Sequence, residues 1–206
     1  MAARGRFITL EGGEGVGKST QLHALAEQLR AKGLTVITTR EPGGSEGAEA
    51  IRALLMEGGA DRWSARSEAL LFAAARADHV ARKIQPALEA GHWVLCDRFV
   101  DSSRAYQAGA GGLSDDDVMT LHRIGSQGLL PDRTLILTLT LADAQARAFT
   151  RDGGEIDRFA QQQEAYHARV GNAFLRFATA DPNRFRLIDA SGAVDDVTTR
   201  LAKSVS

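Results

Sequence analysis

Cysteine is nearly absent from this sequence, because Cys96 is the only one among 206 residues. A disulfide within the chain is therefore excluded, and a metal site built from cysteine is disfavoured. The chain suits a reducing compartment. Cys96 lies in an apolar run, and since free cysteine usually packs as a small hydrophobic group, we expect it in the core.

Long apolar runs and an excess of one charge are also missing. No stretch reaches the ~18 apolar residues that a membrane span needs, and no signal peptide precedes the first strand. Basic residues number 25 and acidic residues 26, so nothing favours a nucleic acid or an anionic membrane as partner. Hydrophobic residues make up 44% of the chain, close to the globular average. We expect one cytoplasmic domain.

Short apolar runs alternate with segments of helical periodicity along the whole chain. The predicted strands are Phe7–Leu10, Val36–Thr39, Trp93–Cys96, Thr134–Thr140 and Phe185–Ile188. The predicted helices are Lys18–Lys32, one capped by Ser45 and ending near Met56, Arg66–Ala90 bent or divided at Pro86, Asp115–Gly128 capped by Ser114, one from Ala142, Phe159–Ala178 and Val194–Ser204. This alternation predicts an α/β fold with a five-stranded parallel sheet flanked by helices.

Three polar or glycine-containing segments follow predicted strands. They are residues 12–19, 40–44 and 97–103. Ligands of such sheets bind beyond the carboxyl ends of the strands, so we expect these segments to form one site.

The first of these segments matches the phosphate-binding P-loop pattern G-x-x-x-x-G-K-[ST] between a predicted strand and a predicted helix. Glycines let the backbone N–H groups wrap an anion, and the following helix directs its positive end at the same phosphates. Lys18 reaches the β and γ oxygens, and the Ser19 hydroxyl is a ligand for Mg²⁺. The expected ATP-binding residues are Gly12, Gly13, Glu14, Gly15, Val16, Gly17, Lys18, Ser19 and Thr20.

A P-loop alone leaves GTPases, motor and transporter ATPases and small kinases open. The sequence contains no Asn-Lys-x-Asp segment for reading guanine and no Leu-Ser-Gly-Gly-Gln run of the transporter kind. These absences, with the short chain, favour a small kinase.

Further motifs narrow the class of small kinase to which this sequence is similar. Thr39-Arg40-Glu41-Pro42-Gly43-Gly44, Phe72-Ala73-Ala74-Ala75-Arg76, Asp97-Arg98-Phe99 with Ser102 to Tyr106, and Ile156-Asp157-Arg158 follow the P-loop in order. In this order and spacing the sequence resembles thymidylate kinase from Phe7 to about Ala178. The resemblance implies a P-loop fold like that of nucleoside monophosphate kinases, with a lid at about residues 147–158. It also implies transfer of the γ-phosphate of ATP to dTMP, giving dTDP, in dTTP biosynthesis.

The resemblance assigns roles to three of these residues, and position assigns one to Asp97. Arg98 would bind the phosphate of dTMP, with a surface arginine paired to a carboxylate as the alternative. Asp97 ends an apolar strand next to the P-loop, where a carboxylate can hold Mg²⁺ directly or through water; the alternative is a helix or loop cap. Phe72 would stack on the base, and Arg76 would donate to a thymine carbonyl. From the residues alone, Phe72 would belong to the core and Arg76 to a solvated helix face.

Other residues of the acceptor pocket follow from the same resemblance. Glu14 would approach the sugar 3′-hydroxyl, because a carboxylate is otherwise unfavourable among phosphates, and Tyr106 would crowd the 2′ position. Ser103 stands where we expect Asn, Thr or Gln. The remaining predicted dTMP-binding residues are Ser102, at the same loop, and Pro42 and Leu55, which form either the apolar pocket floor or plain core.

The predicted lid contains several arginines around Gly153-Gly154. A closing arginine would neutralise charge on the transferred phosphoryl group. Gly15 stands where some family members carry a P-loop arginine, so the sequence resembles the bacterial subclass, which uses a lid arginine. Arg151 is the first candidate and Arg147 the second; an ordinary basic helix end is the alternative. Ala160 replaces the acidic residue that often follows the lid.

The resemblance also implies Mg²⁺ as cofactor, ATP and dTMP as partners, and a homodimer formed by helices on one sheet face. The alanine-rich face of Arg66–Ala90 could form that interface or an intramolecular core. Two other functions stay open. One is a kinase for a different nucleotide or nucleoside, and the other is a nucleotide-driven switch that binds a protein and catalyses no transfer.

Overall fold

The centre of the protein is a parallel sheet of five strands. A computed structural model describes residues 4–59, 61–139 and 164–205. The strands are β1 (Phe7–Glu11), β2 (Val36–Arg40), β3 (Trp93–Asp97), β4 (Arg133–Thr138) and β5 (Phe185–Asp189). Their order is β2-β3-β1-β4-β5, and all neighbouring pairs are parallel. The predicted sheet is therefore confirmed, although β4 ends at Thr138 rather than at Thr140.

Helices cover both faces of this sheet. They are α1 (Lys18–Ala31), α2 (Glu46–Met56), α3 (Ala65–His79), α4 (Gln85–Glu89), α5 (Val100–Ser103), α6 (Asp115–Ser126), α7 (Glu164–Ala180) and α8 (Val194–Ser204), with π-helical turns at Val80–Ile84 and Arg104–Ala110. The predicted helix over residues 66–90 is thus divided by a π-helical turn just before Pro86. The sequence pattern missed α5. The predicted helix from Ala142, the lid and the start predicted at Phe159 lie outside the described residues.

Two apolar layers enclose the sheet. On one face, Leu22 and Leu25 of α1 and Leu201 of α8 pack against β1 and β4. On the other face, Phe7 meets Phe99 edge to face, with ring centroids 4.8 Å apart. Cys96 is completely buried in this second layer, as its apolar surroundings in the sequence predict. Within the described parts of the chain, no helix is long and apolar enough to span a bilayer.

Two predicted helix caps have different outcomes. Ser114 accepts a hydrogen bond from the backbone of Asp117, whose carboxylate accepts one in return, which is a complete capping box. Ser45 stands at the start of α2, but its hydroxyl makes no capping bond. It donates instead to Asp78 of α3 at 2.6 Å, so the expected side-chain cap at Ser45 is wrong. The Ser45 hydroxyl therefore bonds to a residue distant in sequence rather than to the backbone of its own helix.

Backbone hydrogen bonds join the loops that leave the carboxyl ends of the strands. The N–H of Arg98 donates to the carbonyl of Leu10 at 3.0 Å, and the N–H of Glu41 donates to the carbonyl of Asp97 at 2.9 Å. The loops after β1, β2 and β3 therefore lie side by side. This is the rim that the order of strands and polar segments predicts.

Candidate active site

The P-loop forms the middle of the site. Gly12, Gly15 and Gly17 have φ angles of 131°, 71° and 91°, a region that favours glycine. A Cβ on Gly12 would lie 2.4 Å from the carbonyl oxygen of Leu137, so this glycine also permits close packing on β4. As predicted, α1 begins at Lys18, so its free N–H groups face the loop.

Lys18 is buried within the loop. Its ammonium group donates to the carbonyl oxygens of Gly13 at 2.6 Å and Gly12 at 3.3 Å. Burial, aided by the positive charge of Arg98, lowers the pKa of Lys18 to about 8. The ammonium group bonds only to neutral carbonyl oxygens, so a polyphosphate bound in the loop would supply a negatively charged partner for it.

Ser19 and Asp97 lie together beside the P-loop, as the prediction of a magnesium site requires. The Ser19 hydroxyl donates to Oδ2 of Asp97 at 2.6 Å. Hydroxyl and carboxylate oxygens are ligands that Mg²⁺ accepts, usually together with substrate phosphates. Among the described residues no larger cluster of metal-binding side chains occurs. The pair therefore fits a magnesium ion that is held mainly by nucleotide.

Arg98 turns into the cavity from the loop after β3. Its φ of 68° is unusual for a residue with a side chain. Its guanidinium donates to the carbonyl of Gly12 at 3.2 Å, to the hydroxyl of Ser102 at 3.1 Å, and to the carboxylate of Glu14. The structure thus brings the predicted phosphate ligand, Arg98, against the predicted sugar ligand, Glu14.

Glu11, which the sequence pattern did not single out, supports this loop from below. One carboxyl oxygen accepts from the N–H of Phe99 at 2.8 Å, and the other accepts from the hydroxyl of Ser102 at 2.6 Å. Complete burial, aided by Asp101, raises the pKa of Glu11 to about 8. Its position at the end of an apolar strand is the signal that could have found it.

Arg76 lies at the other end of the site and is only 3% exposed. Its Nε donates to Glu41 at 2.8 Å, and its Nη2 donates to Ser103 at 2.6 Å. The interpretation of Arg76 as a solvated residue, drawn from periodicity alone, is therefore wrong. Phe72, one turn earlier on α3, is half-buried and lines the same cavity.

Tyr106 contributes a buried hydroxyl to this region. The residue is 6% exposed, and its hydroxyl has no hydrogen-bond partner in residues 4–59, 61–139 and 164–205. Burial raises its pKa to about 12, so it stays protonated. The ring lies under the Arg98 guanidinium, 5.0 Å from the ring centroid to Cζ. A buried polar group without a partner costs stability unless a ligand satisfies it.

One cavity of about 820 Å³ connects these groups within the described part of the chain. The P-loop lies in its middle, between one end lined by Phe72, Arg76 and Tyr106 and another lined by the loop after β5. Predicted residues at the first end also include Pro42, Ser102 and Ser103. The lining residues that the sequence did not indicate include Arg52, Met56, Gln107, Ala190, Gly192, Ala193 and Val194.

Leu55 lies in the core, the second of its two predicted places. It is completely buried and is absent from the residues that line the cavity, whereas its neighbour Met56 lines it. One step along a helix rotates the side chain by about 100°, so neighbours face different surroundings. Arg147 and Arg151 lie outside the described residues.

The fold and the cavity together define a P-loop kinase of the nucleoside monophosphate kinase type. The family model for thymidylate kinase matches residues 10–201. The chain is 62% identical over 202 residues to the thymidylate kinase of Rhizorhabdus wittichii, covering 98% of this chain and 97% of that protein. It is 50% identical over 195 residues to that of Nitrobacter hamburgensis, with 94% and 85% covered.

A solved structure agrees with these sequence matches. The crystal structure of thymidylate kinase from Ehrlichia chaffeensis aligns with a TM-score of 0.77 and 30% identity, covering 98% of both chains. The chain therefore belongs to the thymidylate kinase family.

Proposed function

We propose that this protein transfers the γ-phosphate of ATP to dTMP, giving ADP and dTDP. The observation that carries the proposal is the single cavity in which a P-loop separates two differently lined ends. Each end can take one nucleotide, with the phosphates of both meeting at Lys18 and Arg98. This is the arrangement that direct transfer between two nucleotides needs.

The end beside α8 is the proposed site for the nucleoside of ATP. The loop after β5 presents Ala190, Gly192 and Ala193 to the cavity, on the P-loop side away from Arg76. A triphosphate seated against the start of α1 has its terminal phosphate next to Lys18. The base and sugar then extend toward the loop after β5.

The other end is the proposed site for dTMP. Arg98 presents a fork of donors to the phosphate, which would compete with Glu14 for the guanidinium. Phe72 offers an aromatic face to the thymine, and Arg76 offers donors to a ring carbonyl. Glu14 would then accept from the 3′-hydroxyl, and Tyr106 would lie near the 2′ position.

Further residues complete this proposed dTMP site. Pro42, Ser102 and Ser103 line the same end, and the hydroxyl groups of both serines are already used by neighbouring side chains. Ser102 would therefore position Arg98, and Ser103 would position Arg76, rather than bind the base directly. Leu55 would support the pocket from behind, through the packing of α2.

Catalysis would come from position and charge, with no covalent enzyme intermediate. Lys18 would stabilise the negative charge on the phosphoryl group during transfer. Arg98 would hold the acceptor phosphate so that its oxygen is in line with the bond that breaks. Ser19 and Asp97 would hold Mg²⁺, which would supply positive charge that neutralises the phosphates. Arg151 or Arg147 of the predicted lid would add a further positive charge.

We also infer a homodimer formed through α2, α3 and α6. Leu54, Leu70 and Ile124 of these helices are 42%, 55% and 77% exposed. Gly125 lets α6 approach α3 closely, since a Cβ there would lie 3.2 Å from that of Ala77. The alanine-rich face of α3 thus serves intramolecular packing, and the exposed leucine and isoleucine side chains supply the interface. A chain with a single cysteine suits a reducing compartment, and we infer a cytoplasmic enzyme.

A panel of acceptors tests the proposal. Purified protein with Mg²⁺ and ATP would be given dTMP, dUMP, CMP, AMP or thymidine, with coupled detection of ADP. We expect the highest kcat/KM on dTMP. Higher turnover on another acceptor would assign a different kinase activity. Slow ATP hydrolysis that no acceptor changes would instead favour the nucleotide-driven switch.

A further inference from the structure

A chain of buried hydrogen bonds leads from Arg76 through Glu41, which also lines the cavity, to His79 and Thr39. Glu41 accepts from Nε of Arg76 with one carboxyl oxygen, at 2.8 Å. Its other oxygen lies 3.1 Å from Nδ1 of His79. The side chains of Arg76, Glu41 and His79 are 3%, 4% and 0% exposed, so water does not compete for these bonds.

Thr39 completes the chain. Its hydroxyl oxygen lies 2.7 Å from Nε2 of His79. Because a carboxylate only accepts, Nδ1 of His79 donates to Glu41, whichever role the Thr39 hydroxyl takes at Nε2. Both oxygens of Glu41 then accept from a fixed donor, and its negative charge balances that of Arg76.

Gly44 packs directly on this chain of hydrogen bonds. A Cβ on Gly44 would lie 2.4 Å from Nε2 of His79 and 2.5 Å from the hydroxyl oxygen of Thr39. Any side chain here would break the bond between Thr39 and His79. Gly44 is therefore needed for the buried network as well as for the turn.

The plane of the Arg76 guanidinium is fixed from two sides. Glu41 holds Nε, and Ser103 accepts from Nη2 at 2.6 Å. The ring of Phe99 lies beneath, 5.5 Å from its centroid to Cζ. No hydrogen bond from Nη1 occurs in the described residues, and Arg76 lines the cavity. A donor held in this way loses little rotamer freedom when a ligand binds.

We propose that Glu41, oriented by His79 and Thr39, is a positioning residue that fixes Arg76 for recognition of the pyrimidine ring of the acceptor. This inference rests on the proposed function, since it takes Arg76 as the base-binding group. Glu41 also lines the cavity, and in this proposal it acts through Arg76 rather than through a contact of its own with the pyrimidine. Its contribution therefore exists only while Arg76 is present.

A double-mutant cycle between Glu41 and Arg76 tests this dependence. We expect Glu41→Gln to raise the KM for dTMP by about 10-fold or more, because one donor loses its acceptor and the charge of Arg76 loses its partner. The KM for ATP should stay within about twofold. In the Arg76→Ala background, Glu41→Gln should change the KM for dTMP by less than about twofold. Glu27→Gln, the same change on the exposed face of α1, is the matched control.

Thr39→Val provides a second variant that preserves side-chain shape and so guards against a folding defect. It should raise the KM for dTMP by about threefold, and this effect should also vanish in the Arg76→Ala background. Equal rises in the two Michaelis constants, or effects of Glu41→Gln and Arg76→Ala that simply multiply, would overturn the positioning role.

The outcomes also separate this inference from the proposed function. If Arg76→Ala leaves dTMP binding unchanged, then the base-binding role of Arg76 fails, and the inference fails with it. If Arg76→Ala weakens dTMP and Glu41→Gln has no effect, only the positioning role of Glu41 fails.

Discussion

Arg98 and Glu14 form an ion pair across the cavity, although 84 positions separate them in the sequence. Arg98 leaves the end of β3, and Glu14 belongs to the P-loop that leaves β1. Their side chains are 17% and 24% exposed, so each largely satisfies the charge of the other within the site. A bound monophosphate would have to share this guanidinium with Glu14, which makes Arg98 the point where acceptor and P-loop meet.

Replacing Arg98 tests this view. We expect Arg98→Ala to lower kcat/KM for dTMP by about 10³-fold, because a charge-assisted fork to the phosphate is lost. Arg98→Lys should recover only part of this loss, since lysine keeps the charge without the planar fork. Steady-state kinetics with each substrate varied would measure both. Arg82→Ala, at an arginine that is 78% exposed on the π-helical turn after α3, is the control and should act like the wild type.

Lys18 should be essential and should also take up a proton when ATP binds. Lys18→Ala should abolish transfer, and near-normal turnover would refute its role. The free protein has a Lys18 pKa of about 8, so near pH 8 roughly half of this residue is neutral. Bound phosphates favour the charged form. Calorimetry of ATP binding in two buffers of different ionisation enthalpy should show net proton uptake at pH 8 and much less at pH 6.

Tyr106 carries a hydroxyl whose partner we expect to be a phosphate oxygen of the acceptor nucleotide held by Arg98, because the 2′ carbon of a deoxyribose offers no hydrogen-bonding group. Because this buried group is unsatisfied within the described parts of the chain, Tyr106→Phe should leave the melting temperature unchanged or slightly higher. The same variant should raise the KM for dTMP about threefold to tenfold, as expected for one lost hydrogen bond. Calorimetric melting and steady-state kinetics would measure the two effects. A lower melting temperature with unchanged KM would assign the hydroxyl a structural role.

Glu11 should make the stability of the protein fall as the pH rises. Its pKa is about 8 in the folded state and near 4.5 when unfolded, so between these values the folded state binds the extra proton. The contribution of Glu11 to stability is therefore full below pH 4.5 and is lost as the pH approaches 8. Relative to the wild type, Glu11→Gln should gain stability over this window, by up to ~1.4 kcal/mol per pH unit.

Urea unfolding of both proteins at pH 5, 6.5 and 8 would measure that difference. A difference in free energy of unfolding that is constant with pH, or that shrinks as the pH rises, would contradict the assignment. Glu27→Gln, on the exposed face of α1, should show no such dependence on pH.

Ile124 should lie in the dimer interface that we infer. It is 77% exposed in the single chain, and burying a carboxylate at an apolar interface is costly. Ile124→Asp should therefore convert the dimer to a folded monomer, which light scattering after gel filtration would detect. Leu187→Asp is the matched control, because Leu187 is 49% exposed on β5, away from α2, α3 and α6. Dissociation by Leu187→Asp alone would place the interface elsewhere.

Much of the fold follows from local signals in the sequence. Five apolar runs predict the five strands, and their alternation with helices predicts that neighbouring strands run parallel, as the structure shows. The ends of β3 and α1 lie within one residue of their predicted places. One prediction failed because a distant partner decided the outcome: the Ser45 hydroxyl bonds to Asp78 instead of capping α2. Separately, a π-helical turn at Val80–Ile84, rather than Pro86 alone, divides the long helix.

Three features can be predicted from the amino-acid sequence alone: the P-loop, the strand ends that converge on it, and the position of Arg98 beside it. These depend on glycine conformations, on apolar patterning and on the common direction of parallel strands, all of which are local or general. Tertiary packing alone places Arg76 against Glu41, 35 positions away along the chain, and places Glu41 in turn against His79, 38 positions away from it. A helical period tells which residues share a face, but a charge can be buried only where a distant residue supplies its counter-charge.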